Sequence, residues 1–258
     1  MGRPALVMAP SRAGHLALPY PSTRIEAWPE VDEAEMREID RIAIHEMGIS
    51  LLQLMENAGR ALAQVAMQVF RPSSVVVFAG SGGNGGGGMA AARHLSNHGV
   101  DVHVHLTSAP TRLTPAAAHQ RYALTSMGVA VHEPTAQLRP ADLFIDAMVG
   151  YSLRAEPAGE VASVIAWMRA SGAAVLSLDV PTGFSAASGT WHATHVSADV
   201  TLTLAAPKRG LIESLATGAL LVADIGIPWQ VLARPGTGLT PFGDSWIVAI
   251  EEPTATPS

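Results

Sequence analysis

Apolar residues recur along the chain with two different periods, and the switching between them sets the expected elements. From Glu33, the positions Met36, Ile39, Ile42 and Ala43 repeat at helical spacing behind a first turn that carries acids. Gly48 interrupts, and the pattern resumes through "LLQLMENAGRALAQVAMQVF", so Glu33 to Phe70 reads as two helices. After "RPSS" the period changes. Val75 to Ala79 is a short, uninterrupted apolar run rich in β-branched residues, as expected of a strand buried on both faces. Met89 to Asn97 then reads as a helix stopped by Gly99, and "VDVHVHL" as an alternating strand. Further helices are expected over Pro115–Met127 and Gly159–Ala170, and strands over Val129–His132, Leu143–Ala147, Ala174–Leu178, Val200–Ala205 and Ala219–Ala223.

Repeated β-α-β order implies an α/β fold: one domain with an open, mostly parallel sheet and helices on both faces. The two ends break the pattern. Residues 1–30 hold scattered prolines and no acid before Glu26, and 229–258 are rich in Pro, Gly and Thr. We therefore expect a flexible N-terminal extension (1–30), a folded domain (31–228) and a C-terminal tail (229–258). The arginines of the first segment give it a faint transit-peptide character.

Composition narrows the function classes. Of 258 residues, 48% are apolar and 15% charged, which suits a packed globular chain rather than a disordered one. A formal charge of −6 argues against a general binder of nucleic acid or of membrane surfaces. The absence of cysteine removes disulfides, thiolate zinc sites and thiol nucleophiles together. No uninterrupted apolar run reaches the roughly 18 residues of a membrane span. We expect a cytoplasmic protein, with organellar targeting by the N-terminal extension left open.

The first candidate for chemistry is "GSGGNGGGG" (Gly80 to Gly88), seven glycines in nine residues between a strand and a helix. Gly80-x-Gly82-x-x-Gly85 meets the dinucleotide-binding pattern, in which glycines let backbone N–H groups approach a pyrophosphate at a helix N-terminus. A run so rich in glycine meets that pattern in several registers. The acid that such sites place after the second strand is missing, since no Asp or Glu lies between Asp101 and Glu133. A P-loop is excluded because no lysine follows the glycines; Lys208 is the only lysine of the chain. A packing turn without ligand stays open, although Asn84 supplies a polar amide within the run.

Two acids stand at strand ends, where open parallel sheets bind ligands: Asp146 in "ADLFIDAMVG" and Asp179 in "AAVLSLDVPTGF". Either alone suits a turn acceptor or a helix cap. Together, beside the glycines, they suggest a polar floor for a cation or for proton transfer. The ten histidines show no zinc-like spacing, and His103 and His105 on one strand read as surface alternation.

Six segments in order carry a resemblance: "LMENAGRALA", "GSGGNGGGGMAAARHL", "DAMVGYSLR", "LDVPTGFSAASG", "ADVTLTLAAPKRGL" and "VADIGIP". Together, from about Val31 to Pro228, they resemble the NAD(P)H-hydrate epimerase family, the YjeF N-terminal domain family. The resemblance implies a Rossmann-like three-layer α/β/α sandwich, a homodimer, and a repair isomerase that interconverts the R and S forms of NADH or NADPH hydrated at C6 of the nicotinamide ring. A separate NAD(P)H-hydrate dehydratase, which takes only the S form, would then restore NADH or NADPH. It further implies one potassium ion per subunit, held by Asn84, Asp146 and Thr182. Substrate would bind to Gly83, Asn84, Gly85, Gly86 and Gly87, to the loop Gly150, Tyr151, Ser152, Leu153, Arg154, Ala155 and Glu156, and to Asp179, which is also the catalytic candidate. Gly83 stands where the family has its first Asn, and Gly87 where the family commonly has Asp. Lys208 fits the family's "APK" turn, with a surface cation equally open. The alternatives are a non-catalytic nucleotide-binding or scaffold module of the same fold, and an NAD(P)-dependent oxidoreductase.

Overall fold

The structure, a computed structural model, describes residues 18–232 and 242–251. Two capped helices open the domain. Asp32 Oδ1 accepts the Glu35 N–H at 2.9 Å and Glu35 Oε2 accepts the Asp32 N–H at 2.9 Å, which starts α1 (Glu33–Arg41) with a reciprocal cap. Ser50 and Gln53 do the same for α2 (Leu51–Val65). Each helix ends in a π-helical turn, Ile42–Glu46 and Ala66–Phe70.

The strands are β1 (Ser22–Arg24), β2 (Ser74–Ala79), β3 (Asp101–Leu106), β4 (Ala130–His132), β5 (Leu143–Ala147), β6 (Ala174–Leu178), β7 (Phe184–Ser185), β8 (Thr190–Trp191), β9 (Val200–Leu204), β10 (Ala219–Ala223) and β11 (Ile247–Glu251). Nine of them form one sheet in the order β1-β11-β10-β9-β6-β5-β2-β3-β4, while β7 and β8 make a small hairpin. Every neighbouring pair in the large sheet is parallel except β10 with β11. The remaining helices are α3 (Gly83–Asn97), α4 (Pro115–Ser126), α5 (Glu160–Ser171) and the short α6 (Trp229–Leu232).

The alternation along β2 shows the layering. Val75, Val77 and Ala79 enter the core shared with Leu62, Met89 and Leu95 of α2 and α3. Val76 and Phe78 face the other way, onto Val164, Ile165 and Met168 of α5. The result is a Rossmann-like α/β/α sandwich. No helix among the described residues is long and apolar enough to cross a membrane.

Three features differ from the sequence expectation. First, α3 starts at Gly83 and not at Met89, so the glycine run is mostly helix. Glycine disfavours a helix by about 1 kcal/mol per residue, but close packing overrides that preference here. A Cβ on Gly88 would lie 2.4 Å from Ala147 Cβ, and one on Gly59 of α2 would lie 2.5 Å from Ala90 Cβ. Second, segments expected in the extension and the tail join the sheet: β1 pairs with β11, and β11 pairs with β10. Each is short and set among turn-forming residues, which hides its period; the rest of both ends lies outside the described residues. Third, His105 is not a surface residue. It is 3% exposed, with Nε2 at 2.8 Å from Glu160 Oε1 beneath α5.

Candidate active site at the carboxyl ends of the central strands

The strands β6 and β9 are neighbours, and each is followed directly by a residue with left-handed backbone: Asp179 at φ 69° and Ala205 at φ 65°. Asp adopts this region more readily than most residues, whereas Ala rarely does, so the kink at Ala205 is held by its surroundings. The two kinks bring distant side chains together. Lys208 Nζ donates to Asp179 Oδ1 at 2.5 Å, to the Leu204 carbonyl at 2.9 Å and to Thr203 Oγ1 at 3.3 Å. Those three bonds use all three ammonium donors. The pair is buried, with side-chain exposures of 0% for Lys208 and 5% for Asp179. Lys208 is thus an interior cation and not a surface one.

The second oxygen of Asp179 accepts the Tyr151 N–H at 2.9 Å. The Tyr151 side chain runs from there to α1, where its hydroxyl donates to Asp40 Oδ2 at 2.6 Å. The Arg37 guanidinium lies 5.9 Å from the centre of the Tyr151 ring and is held in turn by Glu33 Oε1 at 2.6 Å. Burial pushes the Asp40 carboxyl above its usual range, against the lowering effect of the Tyr151 hydroxyl and of Lys208. Burial and the Asp40 charge likewise raise the Tyr151 phenol.

Asp146, at the end of β5, is fully buried. It accepts from Thr182 N at 2.8 Å, Thr182 Oγ1 at 2.7 Å, Ser177 Oγ at 2.9 Å and Met148 N at 3.3 Å. Burial raises its carboxyl, and the Thr182 bonds oppose the shift. Asn84 stands against Gly150: a Cβ there would lie 3.3 Å from both Asn84 Cγ and Oδ1. Asn84 Nδ2 is buried and has no hydrogen-bond partner in the structure.

A cavity of about 500 Å³ joins these groups, within the usual range for small-molecule sites. Asp40, Tyr151, Asp179 and Lys208 are its ionisable lining residues, Ser81, Asn84 and Ser152 add neutral polar groups, and Ile44, Leu51, Leu54 and Met55 belong to an apolar wall. Gly82, Gly83, Asn84 and Gly87 bring the N-terminus of α3 to its edge, where first-turn amides have no partner within the helix.

The structure separates the sequence candidates into two groups. Gly83, Asn84, Gly87, Gly150, Tyr151, Ser152 and Asp179 line the cavity. Gly85 and Gly86 do not; Gly85 packs on Gly80, whose carbonyl a Cβ would approach to 1.9 Å, and Gly86 packs on Met55. Leu153, Arg154 and Ala155 are not cavity residues, and Glu156 turns to the hairpin side, where it accepts the Thr194 N–H at 2.6 Å and lies 3.2 Å from His192. Asp146 and Thr182 sit behind the lining and are bonded to each other. At Gly87 a Cβ would meet a Leu178 methyl at 3.0 Å, so a side chain there fits only if Leu178 shifts.

Asp40 was not legible as a site residue, although a signal existed. It lies four residues after Met36 and three before Ala43, an acid within the apolar stripe of α1. Two residues of "LMENAGRALA" prove structural. Glu56 is paired with Arg93 and His94 of α3, and Asn57 Nδ2 donates to the Ile225 carbonyl at 2.8 Å.

A family model described as YjeF-related protein N-terminus matches residues 51–210. The chain is 41% identical over 226 residues to an NAD(P)H-hydrate epimerase of Dehalogenimonas lykanthroporepellens, covering 86% of this chain and 91% of that protein. It is 36% identical over 229 residues to a bifunctional NAD(P)H-hydrate repair enzyme, Nnr, of Salinibacter ruber, covering 80% of this chain and 42% of that longer one. Among solved structures, the crystal structure of the yeast protein ynu0 shares the fold, with a TM-score of 0.75 at 24% identity over 86% of this chain and 100% of that one.

Proposed function

The chain belongs to the family of YjeF-related protein N-termini, and we propose on that premise that it is an isomerase that interconverts the R and S epimers of hydrated NADH and NADPH. The observation that carries the reading is the buried Asp179–Lys208 pair in a cavity edged by the N-terminus of α3. It combines a group able to exchange protons with a place for a nucleotide's phosphates.

The damaged ring carries its hydroxyl on C6, beside the ring nitrogen. Loss of that hydroxyl as water, with the nitrogen lone pair forming a double bond to C6, makes the carbon planar. Water returning to the other face, with a proton released and the pair restored to nitrogen, yields the other epimer; opening and reclosing of the ring reaches the same result. Asp179 exchanges the proton with the C6 hydroxyl. Lys208 and the Tyr151 amide hold the two carboxylate oxygens, so the group is oriented before substrate arrives. Such proton transfer typically contributes about 10²–10⁴-fold. Gly82, Gly83 and Asn84 present first-turn amides to the phosphates, and Ile44, Leu51, Leu54 and Met55 shield the ring from water.

The residues at Asp146 also fit a monovalent cation. Thr182 Oγ1 lies between Asp146 Oδ1 and the Val149 carbonyl, at 2.7 and 3.3 Å. The Asn84 amide, exchanged end for end, presents an oxygen where a buried nitrogen now has no partner. One carboxylate among neutral oxygens suits a single positive charge. We assign Asn84, Asp146 and Thr182 to potassium. When bound, the ion would supply positive charge near the phosphates.

The reaction implies a dehydratase acting on the S epimer, as a separate partner of this chain, and we expect a homodimer. The test is a coupled assay. R-configured hydrated NADPH is mixed with an S-specific dehydratase, and recovery of NADPH absorbance is followed with and without this protein. Acceleration of complete recovery is expected; a rate equal to spontaneous epimerisation overturns the reading.

A further inference from the structure

We propose that Asp40, with the Tyr151 hydroxyl bonded to it, is a second acid–base group of the cavity and serves the ring face that Asp179 does not. The inference rests on the epimerase reading and adds a residue to it. Inversion at C6 takes oxygen away from one face of the ring and returns it to the other. A proton must reach the departing oxygen on the first face, and another must leave the incoming water on the second. Asp179 is poorly placed to do both. Its oxygens are fixed by Lys208 at 2.5 Å and by the Tyr151 amide at 2.9 Å, and its backbone sits in the left-handed region. A carboxylate so held meets a bound ring from one direction.

Asp40 is the other carboxyl group lining the cavity. It comes from α1, before the segment that matches the family model, and 111 residues separate it from its partner Tyr151. Tyr151 bridges the two acids, its amide on Asp179 and its hydroxyl on Asp40, which sets them apart by about the length of a tyrosine side chain. Arg37 over the ring fixes the bridge. The charged and titratable groups that act on Asp40 are Tyr151, Lys208, Asp179 and Arg37, and burial raises its carboxyl. Two acids of one cavity thus have unlike surroundings, an ammonium at one and a phenol at the other, which is how sites divide acid from base. In one direction, Asp40 gives its proton to the C6 hydroxyl, the C6–O bond breaks with its electron pair leaving as water, and the nitrogen pair closes on C6. Water then adds on the opposite face, and Asp179 takes its proton. The reverse direction exchanges the roles, and proton exchange with solvent restores both acids.

The experiment compares the full-length protein with Asp40→Asn and Tyr151→Phe in the coupled assay, with binding measured by equilibrium titration of hydrated NADPH and folding by urea melts. Asp40→Asn should lower kcat by about 10²-fold or more while KM and binding stay within about threefold. Tyr151→Phe should lower kcat by about tenfold and move the Asp40 limb of the pH profile to higher pH, because the hydroxyl that it removes lowers that carboxyl. Asp40→Asn with kcat within about twofold of wild type overturns the proposal while the epimerase reading stands. If Asp40→Asn does not fold, Tyr151→Phe with unchanged kcat and an unmoved limb overturns it as well. A wild-type chain without epimerase activity overturns both.

Discussion

Replacing Lys208 by Met should be among the most damaging single changes available at this site, and its size follows from the bonds lost. The ammonium is buried and makes three hydrogen bonds, one of them to a carboxylate that is itself 5% exposed. Met fills a similar volume, so the change removes charge more than packing. What remains is a buried, uncompensated carboxylate, which costs about 3–5 kcal/mol, with about 1 kcal/mol more for the Leu204 carbonyl left without its donor. The total is about 4–6 kcal/mol, and at about 2–4 °C per kcal/mol for a chain of this size the melting temperature should fall by about 8–24 °C. Urea unfolding at about pH 7 gives the loss directly. Asp179→Asn in the Lys208→Met background should recover at least half of the loss, because no buried charge is left unpaired. A Lys208→Met protein within about 1 kcal/mol of wild type, or losses that simply add in the double variant, would refute the reasoning.

Other outcomes follow from the same contacts. Asp179→Asn keeps a residue type that tolerates the left-handed backbone but leaves the buried Lys208 ammonium without its counter-charge, so stability should fall by about 3–5 kcal/mol in urea melts and epimerisation by about 10²-fold or more in the coupled assay. Gly83→Ala meets open space in the first turn of α3 and should stabilise by about 0.5–1 kcal/mol in urea melts, whereas Gly85→Ala, whose Cβ would lie 1.9 Å from Gly80 O, should lose several times that amount or fail to fold. Potassium should stabilise the fold over a choline control by about 2.7 kcal/mol at one hundred times its dissociation constant, read as a higher urea midpoint and melting temperature. Asp146→Ala, which removes the acceptor of the Thr182 and Ser177 hydroxyls, should abolish that increment.

The fold was legible where the two apolar periods are unmixed. The inner strands β2, β5, β6, β9 and β10 begin and end within a residue of the stretches read from the sequence, because strands covered on both faces are mostly apolar and the polar side chains Asp146, Ser177, Thr201 and Thr203 are buried as well. Legibility failed where tertiary contacts overrule local preference. A run of glycines signals a loop, yet Gly85, Gly86 and Gly88 lie in a helix pressed so closely on Gly80, Met55 and Ala147 that any side chain would collide. The edge strands failed for the opposite reason: β1 pairs with a segment more than two hundred residues away, and its three residues carry no periodic signal of their own.

The site divided along a similar line. Asp146 and Asp179 could be located because a strand end in a parallel sheet is a place with a meaning, whatever the residue's partners. Lys208 and Asp40 could not, because a single charged side chain reads as solvated until its burial is known. Burying a charge is costly without a counterpart, and the counterparts here lie 29 residues from Lys208 and 111 from Asp40. The local trace of such an arrangement is an ionisable residue where the apolar pattern calls for none, as Asp40 is between Ile39 and Ala43. Both charges meet through Tyr151, whose two ends touch the two acids. A side-chain substitution at Tyr151 keeps the backbone amide on Asp179 and removes the hydroxyl from Asp40, so it should disturb the function of Asp40 and leave Asp179 oriented.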